Sequence, residues 1–75
     1  MRVLFFGRVA DTLGRERDVE LPAAGCTIAE LRRLISPDVL ARPGVRASVD
    51  KQVVGEEAVV RPEAEVAFFS VFSGG

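Results

Sequence analysis

Two phenylalanine pairs, Phe5-Phe6 and Phe68-Phe69, stand near opposite ends of the chain, each inside an apolar run. One strongly amphipathic stretch, starting at Thr27, lies between them. Two apolar strands at the ends of only 75 residues leave few ways to build a core. The strands are expected side by side in the centre of a sheet, with the helix covering one face. Residues 1–6 and 65–71 read as those strands. Neighbours on a strand point to opposite faces, so Val3, Phe5, Val66 and Phe68 are placed inward. Leu4, Phe6, Phe69 and Val71 then form an apolar outer patch. Such patches mark interaction surfaces, which makes Phe6, Phe69 and Val71 the candidate partner-contact residues.

The rest of the chain fits this frame. Gly7 breaks the first strand. Val9 and Leu13, four apart, give one face of a short helix closed by Gly14. Residues 17–21 alternate and read as a half-buried second strand. Thr27 followed by Glu30 is a capping box, and Cys26 and Leu31 occupy the positions of a hydrophobic staple. Ile28, Leu31, Leu34 and Ile35 read as the buried stripe of this main helix, with Arg32 and Arg33 outward. Pro37 ends the helix near Ser36; Ser36 and Pro37 also have the cap and first-turn proline of a second short helical turn. Residues 45–49 read as a third strand, 50–52 as a turn and 53–54 as a brief return. Residues 56–60 show no clear period. The expectation is an α+β fold, a mixed sheet of four to five strands packed on one main helix. Residues 1–71 form the domain and residues 72–75 a flexible tail.

The chemistry is sparse. Ten basic and eleven acidic residues with no basic stripe argue against nucleic acid and anionic membranes as partners. The apolar runs are too short to span a bilayer. A single cysteine, Cys26, allows no internal disulfide and points to the cytoplasm. There is no histidine, so the commonest general base and metal ligand is missing. Cys26 lacks an activating neighbour in sequence. The carboxylate pairs Glu56-Glu57 and Glu63 with Glu65 read as solvated surface. Neither a calcium-loop spacing nor a glycine-rich phosphate cradle is present. The chain is therefore expected to hold no self-contained active site, no metal and no cofactor. Gly74-Gly75 then reads as the reactant. Without Cβ atoms these two residues thread a narrow cleft, and a carboxylate carried there can be activated by acyl-adenylation in a partner enzyme.

The run Val3-Leu4-Phe5-Phe6-Gly7-Arg8-Val9-Ala10-Asp11-Thr12-Leu13-Gly14 resembles the opening of the small subunit of molybdopterin synthase. Glu65-Val66-Ala67-Phe68-Phe69, followed by a short linker and Gly-Gly, resembles its close. With the helix at Thr27 and the strand at 45–49 in matching order, the resemblance covers essentially the whole chain. It implies a ubiquitin-like β-grasp fold and a sulfur carrier that is a non-catalytic donor subunit of a sulfurtransferase complex. An ATP-dependent activating enzyme would adenylate Gly75, and sulfur transfer would convert it to a thiocarboxylate; the ATP belongs to that enzyme. Phe72, Ser73, Gly74 and Gly75 would enter the large subunit of the synthase, in a heterotetramer. There sulfur would pass to the dithiolene of molybdopterin, in molybdenum cofactor biosynthesis. Rival readings are a carrier for thiamin thiazole or cysteine synthesis, a ubiquitin-like protein modifier, and a binding module whose tail never reacts. The short helix at residues 8–13 argues against the thiazole carriers, which tend to be shorter there.

Overall fold

The computed structural model describes residues 1–71. Strand β1 (Arg2–Phe6) leads into helix α1 (Arg8–Leu13) and strand β2 (Glu16–Asp18). The short strand β3 (Cys26–Thr27) runs into helix α2 (Ile28–Ile35), and helix α3 (Pro37–Leu40) follows. Strands β4 (Val45–Val49), β5 (Gln52–Val54), β6 (Val59–Val60) and β7 (Val66–Ser70) complete the chain. Five strands form one sheet in the order β2-β1-β7-β4-β5, and β3 pairs with β6 in a separate two-stranded ribbon. The two apolar end strands lie side by side and parallel, with Val3 opposite Val66 and Phe5 opposite Phe68. Every other pairing is antiparallel. This is the expected α+β, ubiquitin-like β-grasp architecture.

The strand parity holds. Val3, Phe5, Val66 and Phe68 are all buried, and with Val9, Ile28, Leu31, Leu40, Ala47 and Val60 they belong to one core cluster. The Phe5 and Phe68 rings stack at 6.4 Å between centroids. Helix α2 starts where the capping box put it. The Thr27 hydroxyl accepts from the Glu30 backbone N–H at 3.1 Å, and the Glu30 carboxylate accepts from the Thr27 N–H at 2.8 Å. The Thr27 N–H bond, and after it one donated by the Thr27 hydroxyl at 3.1 Å, stabilise the ionised form and hold the Glu30 carboxyl below its ordinary pKa.

Three expectations need correction. First, the second strand covers residues 16–18 rather than 17–21, and all three of its residues are exposed. The alternation seen at 17–21 reflects Val19 and, less deeply, Leu21 reaching the core just past the strand, where the Val19 backbone exchanges hydrogen bonds with Met1. Second, residues 59–60 are a strand after all. Val60 sits opposite Cys26, a tertiary pairing with no local period to announce it. Gly25, at φ +82°, is tucked so tightly against the Val60 carbonyl that no side chain would fit there.

Third, Leu34 and Arg32 exchange faces. At about 100° per residue, Ile28, Leu31, Arg32 and Ile35 share one side of the helix and Leu34 falls toward its margin. Leu34 is accordingly exposed, whereas the Arg32 side chain is only 12% exposed. Its guanidinium donates to the Leu40 and Val45 carbonyls and pairs with Glu56 at 2.8 Å. It also lies 5.5 Å above the Phe68 ring, where the cation–π attraction adds to the packing. Arg32 thus ties α2, α3, β4 and the 55–58 turn together. Arg32→Ala is expected to cost about 2–3 kcal/mol in urea denaturation, because it leaves two part-buried carbonyls without a donor. Arg33→Ala, on the exposed side, is expected to stay within about 0.5 kcal/mol of wild type.

Candidate docking face and tail base

One face of the five-stranded sheet carries the helices; the other carries the outward halves of the aromatic pairs. Register sets the pattern. Phe6 lies opposite Phe69, and Phe69 opposite Arg46, so these three form one row across β1, β7 and β4. The next row holds Leu4, Ala67, Ser48 and Val53. Phe6 is 54% exposed, Val71 45%, and Phe69 is half-buried among its neighbours. Of the three residues expected from strand parity to contact a partner, Phe6 and Phe69 share one face, and Val71 lies exposed just past the end of β7. Behind them, on the buried face, the Phe5 and Phe68 rings stack across β1 and β7.

Because β1 and β7 run parallel, both leave the sheet at the same end. Gly7 takes β1 into α1 with φ +69°, passing beside Ser70. The Val71 backbone N–H donates to the Gly44 carbonyl at 2.9 Å, which holds the end of β7 against the turn before β4. The chain beyond Val71 starts from this point, next to the aromatic row. The expected tail residues Phe72, Ser73, Gly74 and Gly75, with Gly75 as the modified one, lie outside the described residues.

Cys26 is not equipped as a nucleophile. Partial burial, and secondarily the Glu30 charge, push its thiol pKa up, opposite to the lowered pKa of an activated cysteine. Its place is structural, between β6 and the start of α2. Two features near the end of β7 escaped the sequence reading. Arg46 sits in the aromatic row, and Arg8 and Arg42 line a cleft beside Ser70. Alternation along residues 45–49 could have placed Arg46 outward; the meeting of residues 8, 42 and 70 needed the sheet order. Among the described residues no helix is long and apolar enough to cross a membrane.

Comparison with known proteins agrees with this architecture. The crystal structure of SAMP1 from Haloferax volcanii superposes with a TM-score of 0.68, covering 99% of this chain and 97% of that one at 17% identity. That likeness shows the fold. No curated protein sequence matches the chain. The ThiS family model matches residues 3–75, from the first strand through the glycine pair. The chain belongs to the ThiS family, the ubiquitin-like sulfur carriers.

Proposed function

We propose that this carrier serves as the sulfur-donating small subunit of a molybdopterin synthase, with Gly75 as the residue that bears sulfur. In the activating enzyme a Gly75 carboxylate oxygen attacks the α-phosphorus of ATP, and pyrophosphate leaves. Hydrosulfide, or an equivalent donor, then attacks the acyl carbon and displaces AMP, leaving a thiocarboxylate. In the large subunit Phe72, Ser73 and Gly74 carry that group through a narrow channel to the pterin precursor. Delivery of sulfur returns the carboxylate. The chain itself supplies no acid, base or cofactor, only a grip and a reach. ATP-dependent loading is consistent with a cytoplasmic site of action.

The observation that favours this pathway is helix α1, six residues inserted between β1 and β2, where thiazole carriers tend to be shorter. The test is sulfur delivery. The loaded chain, mixed with a molybdopterin synthase large subunit and cyclic pyranopterin monophosphate, is expected to form the dithiolene. Turnover only with a thiazole-forming enzyme would move the chain to the thiamin pathway, and amide adducts with lysine side chains would make it a protein modifier.

The docking face gives a second expected outcome. Phe69→Asp places a charge in the centre of the aromatic row, where a contact residue of this kind contributes about 2 kcal/mol or more. Binding to the large subunit, measured by calorimetry, is expected to weaken about 30-fold or more. An unchanged affinity would show that partners grip another face.

A further inference from the structure

Arg8 is the first residue of α1, Arg42 lies in the loop before β4, and Arg46 stands opposite Phe69 on β4. These positions are distant in sequence, yet all three side chains are exposed at the end of the sheet from which β7 leaves. Arg8 and Arg42 flank a cleft lined also by Val9, Gly44 and Ser70, and among the described residues no carboxylate lines it. A second depression, on the other side of the Arg42-Pro43-Gly44 loop, adds Arg46. Its one carboxylate, Glu56, is already held by Arg32. Among the described residues none of Arg8, Arg42 and Arg46 forms an ion pair. Asp11, one turn along α1, is the acid nearest in sequence to Arg8. At the opposite end of the sheet the charges are mixed: Asp18, Asp50, Glu63 and Glu65 gather there with the Met1 ammonium, Arg2, Arg17 and Lys51. In a chain of net charge −1, three exposed arginines distant in sequence thus meet where β7 ends, with no acid paired to them among the described residues.

We propose that Arg8, Arg42 and Arg46 form a cationic collar that docks on an acidic protein surface at the mouth of the channel receiving residues 72–75. The inference rests on the carrier reading above and names the kind of surface that its partners present. Exposed charges at an interface rim contribute little to affinity pair by pair. Their collective field raises the encounter rate and orients the approach, by factors of about 10 to 1,000, and falls steeply with ionic strength. A collar around the tail base is placed for that task. The apolar row supplies the grip once contact is made, and the arginines bring the tail to the channel first. A protein partner is favoured over nucleic acid because Arg46 stands beside Phe69 in the apolar row and the chain as a whole carries a net charge of −1.

Two measurements test the collar. The first is the steady-state kinetics of sulfur loading by the ATP-dependent activating enzyme, over a salt series, for wild type, R8A/R42A/R46A and R8E/R42E/R46E. Wild-type kcat/KM is expected to fall steeply with salt. The alanine triple variant is expected to lose most of that slope, and the glutamate variant to lose at least about tenfold in kcat/KM at low salt, through KM rather than kcat. All three should show the same thermal melt. Equal kcat/KM and equal salt slopes would overturn the proposal. The second needs no partner enzyme: the isotope-labelled full chain is titrated with poly-L-glutamate and, separately, with a single-stranded oligonucleotide. Amide shifts at Arg8, Gly44, Arg46 and Ser70 with the polypeptide are expected. Shifts with the oligonucleotide alone, or with neither polymer, would overturn the collar. If no activating enzyme loads the wild-type chain, the carrier reading falls, and the titration still decides the collar.

Discussion

Gly74→Val is expected to abolish sulfur loading while leaving the melting temperature of the domain unchanged. The two halves of this outcome have separate causes. The core residues lie between Val3 and Phe68, and the last described backbone bond joins Val71 to Gly44. Residue 74 lies beyond all of them. On the proposed carrier mechanism, a branched side chain there would block the partner's narrow channel and displace the reacting carbonyl. Misplacement by about 1 Å can cost about 100-fold in rate, so a loss of at least that size is expected in single-turnover loading followed by mass spectrometry. Deleting Gly75 moves the terminal carboxylate to Gly74, one residue short of the position that reacts, and should cut product formation at least as strongly. A lower melting temperature in either variant would instead mean that the tail is part of the packed domain.

Phe68→Ala is expected to have the largest effect on stability. Phe68 is fully buried on the central strand, with Phe5 opposite it on β1, Ala47 on β4 and the Arg32 guanidinium above its ring. Removing a buried phenylalanine ring costs about 3–5 kcal/mol, of a total stability of about 4–11 kcal/mol for a domain of this size. At about 4 °C or more per kcal/mol, the melting temperature should fall by at least about 12 °C. Calorimetric scans check this directly. Phe6→Ala, one strand over and on the outer face, is expected to shift the melt by only a few degrees.

The contrast between these two phenylalanines shows which parts of the molecule local pattern can specify. Strand alternation places Phe5 and Phe68 inward and Phe6 and Phe69 outward, because the two-residue period is a property of the backbone. The Thr27–Glu30 cap is equally local, since its donors and acceptors lie within one turn. Arg32 fails the local reading because charge was allowed to outweigh angle. Its position lies on the buried side, and burial is tolerated because Leu40, Val45 and Glu56 satisfy the guanidinium. The Cys26–Val60 pairing joins segments more than thirty residues apart through a two-residue ladder, too short to leave a periodic trace. The edge strand at 16–18 buries nothing and so has no hydrophobic signature. The candidate site divides along the same line. Its aromatic row follows from alternation within β1 and β7, whereas its arginine collar exists only once β1, β7 and β4 are adjacent.

The central claim is that the end of this chain is a substrate. Intact-mass spectrometry of the full chain, after incubation with ATP, its activating enzyme and sulfide, tests it most directly. The expected result is transient addition of an adenylyl group. It should be followed by a stable gain equal to the difference between one sulfur and one oxygen atom, localised to Gly75 by fragmentation. An unchanged mass under conditions where the enzyme turns over another carrier, or sulfur found on Cys26 instead, would contradict it.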